Sequence, residues 1–182
     1  MEIYIITDTH FNHRKLVGYN NRPQEFDDLI WNGLKDLPRG CVLIHLGDIC
    51  MGKDEEVHKR LASYDFKKIL VKGNHDKKSN YWYLQHGWDF VCDQFSDTYF
   101  GRKILFSHKP IMWDKKYEIN IHGHFHNTDH RRHEPELMAI KNDYQKLLAI
   151  EWTDYKPVLL EDFIKLKLGG VSPIRKSSEA SN

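Results

Sequence analysis

The chain has 182 residues, and its 27 Lys and Arg against 26 Asp and Glu leave a formal net charge of +1. At roughly 150 residues per domain this predicts one domain, 1–167, followed by a tail, 168–182; the even charge balance excludes a global field that would draw the chain onto nucleic acid or anionic lipid. No apolar run approaches the roughly 20 residues that span a bilayer, and Met1-Glu2-Ile3-Tyr4-Ile5-Ile6 lacks the cationic start of a signal peptide, so a cytoplasmic chain without membrane association is expected.

In chain order, residues 2–7, 41–46 and 67–72 are short runs rich in β-branched residues, which predict strands buried on both faces. Between the first two, Phe26, Leu29, Ile30, Leu34 and Leu37 recur at helical spacing between Pro23 and Pro38, which predicts a helix over 24–37. Between the second and third, Asp54 is expected to cap a shorter helix that turns Val57, Leu61 and Ala62 inward. Residues 95–100 and 103–108 predict a hairpin turning at Gly101-Arg102. Residues 118–122 and 145–152 predict further strands, and Leu159 to Lys167 a helix. Strand–helix alternation followed by a strand-rich half predicts a layered α/β domain with mixed sheets. Cys41, Cys50 and Cys92 show no Cys-x-x-Cys spacing, which argues against a thiolate zinc site or a disulfide framework.

The chain carries 12 histidines, and histidine is both the commonest metal ligand and the usual acid or base near neutral pH. Asp8-Thr9-His10, Gly47-Asp48, Gly73-Asn74-His75-Asp76, His108 and Gly123-His124-Phe125-His126 each follow a predicted strand. In layered α/β folds ligands bind beyond the carboxyl ends of strands, so the five segments are expected to meet. Asp8, His10, Asp48, Asn74, His108, His124 and His126 offer oxygen and imidazole nitrogen and no sulfur, which suits divalent Mn, Fe, Co, Ni or Zn. They are too many for one tetrahedral ion and about right for two. Asp48 can bridge a pair, and such a pair suits in-line displacement at phosphorus. Gly47, Gly73 and Gly123 are expected to let the backbone turn sharply beneath the site.

The series Asp-x-His, Gly-Asp, Gly-Asn-His-Asp, His, Gly-His-x-His, over residues 8–126, resembles the fingerprint of the calcineurin-like metallophosphoesterases. The resemblance implies a four-layer αββα sandwich and a dinuclear centre. Asp8, His10, Asp48 and His126 would hold the first ion; Asp48, Asn74, His108 and His124 would hold the second, with Asp48 bridging. His75 matches the proton donor and Asp76 the residue that orients and charges it. A metal-bridging hydroxide would attack a phosphate ester, a diester before a monoester, with manganese the favoured metal. The stretch Trp152 to Pro157 also resembles the end of small bacterial and phage-type members.

Asn74 and His13 are candidate substrate contacts, although His13 equally suits a helix start. His45 and His122 are expected inside, His58 and His86 on helix surfaces, and His130 and His133 in a charged loop. Lys77-Lys78, Lys109, Lys115-Lys116 and Arg131-Arg132 read as solvated surface that would otherwise hold a phosphate backbone of a nucleotide or short nucleic acid. Tyr81, Trp82, Tyr83 and Trp88 read as packing rather than as a base-stacking platform. A phosphomonoesterase or nucleotidase, a small nuclease, and a non-catalytic metal-binding interaction module are the competing functions.

Overall fold

The computed structural model describes residues 1–112, 114–127, 134–138 and 143–166. In chain order these form β1 (Ile3–Ile6), α1 (Leu16–Tyr19), α2 (Phe26–Lys35), β2 (Val42–His45), α3 (Asp54–Ala62), β3 (Lys67–Val71), α4 (Asn80–Gln85), β4 (Phe90–Cys92), β5 (Gln94–Tyr99), β6 (Arg102–Ser107), β7 (Ile119–His122), α5 (Pro135–Met138), β8 (Gln145–Leu147), β9 (Val158–Leu159) and α6 (Leu160–Lys165). The expectations for Arg131-Arg132, His130, His133, Lys167 and the tail lie outside the described residues.

Two mixed sheets result, ordered β4-β3-β2-β1-β9 and β5-β6-β7-β8. In the first, β1 to β4 are parallel and β9 is antiparallel to β1. Right-handed crossovers that step one way along a sheet put their helices on the same face. Accordingly Phe26, Ile30, Trp31 and Leu34 of α2, Val57 and Leu61 of α3 and Tyr83 of α4 share one core with Ile6, Leu43 and Leu70. The alternate residues Ile5, Ile44 and Val71 face the other way, onto Ile104, Phe106, Ile119 and Ile121 of the second sheet. Period-two alternation thus gives each central strand two buried faces. Two mixed sheets packed face to face, with helices outside the first, give the mixed α/β sandwich expected from the sequence; of the two helical layers of a four-layer αββα arrangement, the described core shows the one over the first sheet.

Several elements differ from expectation. The hairpin strands end one residue earlier, because Phe100 and Gly101 both take positive φ (51° and 74°), the backbone of a two-residue turn. Asp54 opens α3 but does not cap it: the cap position is Lys53, and no side chain bonds there. The strand expected over 145–152 is β8 followed by a single 3-10 turn, Ile150–Trp152. The edge strand β4 was not foreseen, since its three residues carry too little pattern.

The histidines sort by packing. His45 is buried as expected: Gly47 N–H donates to its Nδ1 at 3.0 Å, and its Nε2 lies 3.0 Å from the Thr9 hydroxyl, which donates to Ile49 O at 2.8 Å. His122 is buried too, and His86 is half-buried, stacked 3.7 Å from the Trp82 ring centroid. His58 is the correction: it is 1% exposed, and Trp88 Nε1–H donates to its Nδ1 at 2.9 Å. Tyr83 and Trp88 join the core, whereas Tyr81 is exposed.

Burial pushes His58 down to about 4 from an ordinary 6.5. The folded chain therefore resists a proton that the unfolded chain accepts below about 6.5. This contribution is complete above that pH and is lost as pH falls toward 4, at about 1.4 kcal/mol per unit. The urea midpoint of chelator-treated protein should fall between pH 7 and pH 5, and less steeply in His58→Asn; equal slopes in the two proteins would refute a neutral buried His58.

Candidate metal centre

β1, β2 and β3 of the first sheet and β6, β7 and β8 of the second all end at one rim. The rim is tied across the sheets: His124 N–H donates to Asp8 Oδ2 at 2.9 Å, and His108 Nδ1 lies 2.7 Å from Leu46 O. Backbone conformation here is unusual, since Asp8, His10, Asp48, His124 and His126 all take φ between 45° and 70°. Non-glycine residues pay for this left-handed backbone with strain, which concentrates where a site over-determines the chain.

The glycines correct the sequence reading in part. Gly47 does take positive φ (92°), but Gly73 and Gly123 do not. A Cβ at Gly73 would overlap Asp48 Oδ1, and one at Gly123 would overlap Thr7 Oγ1 and Asp8 Oδ2. Those two positions need the missing side chain for close approach rather than for a turn.

Each aspartate spends one oxygen on the scaffold and bares the other. Asp8 Oδ2 accepts from Thr7 Oγ1–H at 2.7 Å and from His124 N–H, while the buried Oδ1 has no hydrogen-bond partner. Asp48 Oδ1 accepts from His75 N–H at 2.8 Å, while its buried Oδ2 is likewise bare. Asp8 Oδ1 lies 3.8 Å from His10 Nε2 and 3.7 Å from His126 Nε2. Asp48 Oδ2 lies 3.5 Å from His10 Nε2 and 3.4 Å from His108 Nε2, so it stands between two groups. Asp8, His10 and His126 form one cluster and Asp48, His108 and His124 the other, with the donor atoms of each within 4.8 Å of one another.

Proton placement decides what the clusters can bind. Leu46 O only accepts, so His108 Nδ1 carries a proton and donates it. Its Nε2 lies 3.1 Å from Asn74 Oδ1 and 3.1 Å from His124 Nδ1. His124 Nε2 in turn lies 2.7 Å from Glu134 Oε2, an acceptor, which puts that ring's proton on Nε2 and turns the Nδ1 lone pair inward. His126 repeats the device, its Nδ1 lying 3.1 Å from Glu151 Oε1 while Nε2 faces Asp8. With every ring neutral these lone pairs converge on one another, a repulsion that a proton on His108 or a bound cation relieves. Oxygen and imidazole donors of this kind fit first-row divalent ions.

The electrostatics agree. Burial alone would push His108 down, yet the neighbouring carboxylates of Asp48 and Asp8 raise it to about 9. Burial also opposes ionisation of Asp48, but His108 and His10 hold its carboxyl well below the usual range. The negative potential that retains a proton on His108 is the one for which a divalent ion competes. His10, 2% exposed, is held well below its ordinary value by burial, so its ring is neutral.

The other expected residues are placed less uniformly. His75 is exposed beside the clusters, its Nε2 3.9 Å from Asp48 Oδ2 and its ring centroid 5.3 Å from that of His10. His13 joins them, with centroids 5.3 Å from His10 and 6.4 Å from His75. Asp76 departs from its expected role. Its Oδ2 accepts from Asp48 N–H and Gly73 N–H, each at 2.8 Å, and its Oδ1 from Ile49 N–H at 3.1 Å. Both oxygens thus lock the loop after β2 to the loop after β3, and Asp76 does not pair with the His75 ring.

Three residues escaped the sequence reading. Arg22 is 2% exposed; it donates through Nε and Nη2 to Glu151 Oε1 at 3.0 and 2.8 Å, and to Thr9 O and Asp8 O at 3.1 and 2.8 Å. Glu151, behind His126, is held low by that ring and by Arg22 against the opposing effect of burial. Glu134, behind His124, also accepts from Lys109 Nζ at 3.3 Å. A lone carboxylate within Leu147-Leu148-Ala149-Ile150-Glu151-Trp152 was a readable signal for Glu151; Arg22 and Glu134 had none.

The profile described as calcineurin-like phosphoesterase matches residues 1–161. The chain belongs to the calcineurin-like phosphoesterase family. It is similar to the uncharacterized protein MJ1445 of Methanocaldococcus jannaschii, 28% identical over 177 residues, which covers 91% of this chain and 90% of that one. Among solved structures it is similar to the protein of unknown function AQ665 from Aquifex aeolicus, with a TM-score of 0.70, 28% identity, and coverage of 91% of this chain and 98% of that one. Family membership and the two clusters together support a metal-dependent phosphoesterase. Among the described residues no helix is long and apolar enough to cross a membrane.

Proposed function

We propose that this chain is a dinuclear phosphodiesterase. Asp8, His10, Asp48 and His126 hold one divalent ion and Asp48, Asn74, His108 and His124 the other, with Asp48 shared. The observation that carries this reading is the bare, buried Asp48 Oδ2 between two sets of inward lone pairs. Two ions so held would supply charge stabilisation at phosphorus and lower the pKa of water enough for hydroxide to be available near neutral pH.

The chain's own groups do the rest. His75, held through its backbone by Asp48 Oδ1 and exposed at the mouth, is placed to give a proton to the leaving oxygen. His13, on the same side, and Asn74 are placed to contact the ester. A cavity of about 310 Å³ that includes Asn74 and His108 in its lining leaves room for a second substituent on phosphorus, which favours a diester. Three free cysteines suit a reducing compartment such as the cytoplasm.

The test is hydrolysis of bis(p-nitrophenyl) phosphate beside p-nitrophenyl phosphate by chelator-stripped protein, before and after addition of Mn²⁺. Mn²⁺-dependent turnover that favours the diester is expected. Preference for the monoester would replace this reading with a phosphomonoesterase, and bound metal without turnover of either ester would indicate a binding module. In the same assay His75→Ala should lose about 10²- to 10⁴-fold in rate, the usual scale for a general acid, while its metal content stays unchanged. Full activity of that variant on a poor leaving group would remove His75 from the mechanism.

A further inference from the structure

His45 ends β2 and is 1% exposed, its ring edge-on to that of Trp88 with centroids 6.1 Å apart. Trp88 belongs to the core between the first sheet and its helices. A leucine would fill such a place without the cost of desolvating an imidazole, a cost that only hydrogen bonds offset. Nothing in the chemistry proposed above uses this ring.

The bonds of His45 run in one direction. Gly47 N–H donates to Nδ1 at 3.0 Å, so the proton of the neutral ring is on Nε2. Nε2–H donates to Thr9 Oγ1 at 3.0 Å, and the Thr9 hydroxyl passes its own hydrogen to Ile49 O at 2.8 Å. Burial pushes His45 down to about 3, which keeps the ring neutral and the chain of bonds intact. The ends of that chain bracket three of the expected ligands. Thr9 lies between Asp8 and His10, and Gly47 and Ile49 lie on either side of Asp48. Along the same seam Asp8 N–H donates to Gly47 O at 2.9 Å and His10 N–H to Asp48 O at 3.0 Å. Asp8, His10 and Asp48 hold φ of 49°, 45° and 57°, a backbone that persists only where surrounding bonds over-determine it.

We infer that His45 is a positioning residue for the first ion: it fixes the loop after β1 against the loop after β2, and so sets how far Asp8 and His10 stand from Asp48. This rests on the dinuclear reading above. Asp8, His10 and Asp48 supply three of the four ligands proposed for that ion, with Asp48 Oδ2 3.5 Å from His10 Nε2. Asp76 ties the loop after β2 to the loop after β3. His45 makes the matching tie on the other side, to the loop after β1, with a ring that carries no charge.

The experiment is isothermal titration of the full-length, chelator-treated protein with Mn²⁺, on variants that unfold cooperatively. Wild-type protein should take up two ions. His45→Leu and Thr9→Val each break the chain of bonds without adding charge, and each should weaken uptake of one ion about 10- to 100-fold, the usual scale for a group behind a metal ligand. Because the two residues act through one chain, the double variant should bind no more weakly than the worse single one. Thr9→Ser, which keeps the hydroxyl, should restore most of the affinity lost in Thr9→Val. If His45→Leu did not fold, the contrast between Thr9→Val and Thr9→Ser would decide alone. Additive losses, or two ions bound as tightly in the apolar variants as in the wild type, would overturn the role of His45 and leave the dinuclear reading standing. A wild type that took up no Mn²⁺ would overturn both. Loss of affinity on breaking the chain, in protein that turned over neither p-nitrophenyl ester, would keep the role of His45 and remove the phosphoesterase reading.

Discussion

Asp48→Asn should leave the fold intact and remove most of the chemistry. The amide keeps an oxygen to accept from His75 N–H, so the loop between β2 and α3 has no reason to move. What is lost is the negative charge at Oδ2, the atom 3.5 Å from His10 Nε2 and 3.4 Å from His108 Nε2. Because both clusters draw on that atom, one substitution should lower occupancy of both ions. The metal-dependent part of catalysis is worth several kcal/mol, and each 1.36 kcal/mol is tenfold in rate, so a loss of about 10³-fold or more is expected. Metal content by mass spectrometry and initial rates on bis(p-nitrophenyl) phosphate check this together. A variant that retained two ions per chain and near-normal turnover would refute the bridging role of Asp48.

The second large effect is structural. Arg22 and Glu151 face each other with side chains 0% and 2% exposed. Removing one partner strands the other's charge away from water, at a cost of about 3–5 kcal/mol. Glu151→Ala should therefore lower the melting temperature by roughly 10 °C, given about 2–4 °C per kcal/mol for a domain of this size. Glu151→Gln, which keeps a hydrogen-bond acceptor, should lose less. Both variants also loosen His126, and loss of such an outer partner commonly weakens metal affinity about 10- to 100-fold. A double variant, Arg22→Met with Glu151→Leu, should regain part of the stability but none of the metal affinity. If it restored both, Glu151 would have no hold on His126.

The contrast between what the sequence disclosed and what it hid follows range along the chain. Strand alternation and the residues just beyond each strand are local features, so Asp8, His10, Asp48, Asn74, His108, His124 and His126 could be placed at one rim before any contact was known. The supporting groups answer to distant partners. Arg22 meets Glu151 across 129 positions, and Trp88 meets His58 across 30, which turns a ring flanked by charged residues into a buried one. Asp76 shows a subtler limit: its place in Gly-Asn-His-Asp was legible, but its three backbone amides can be seen only where two loops lie side by side. Likewise, spacing alone cannot separate a glycine needed for its φ, as Gly47 is, from one needed for its missing Cβ, as Gly73 and Gly123 are.

The candidate centre is divided between the two packed sheets. Asp8, His10, Asp48 and Asn74 belong to one sheet, and His108, His124 and His126 to the other. An ion in either cluster would have ligands from both, and so would act as a rivet through the sandwich. Metal affinity and resistance to prying the sheets apart then become one quantity: ligand that binds only the closed form stabilises it in proportion to RT ln(1 + [M]/Kd). Amide exchange at the carboxyl ends of β2, β6 and β7 should slow as ions are added, whereas the far ends of the same strands, remote from the clusters, should not respond.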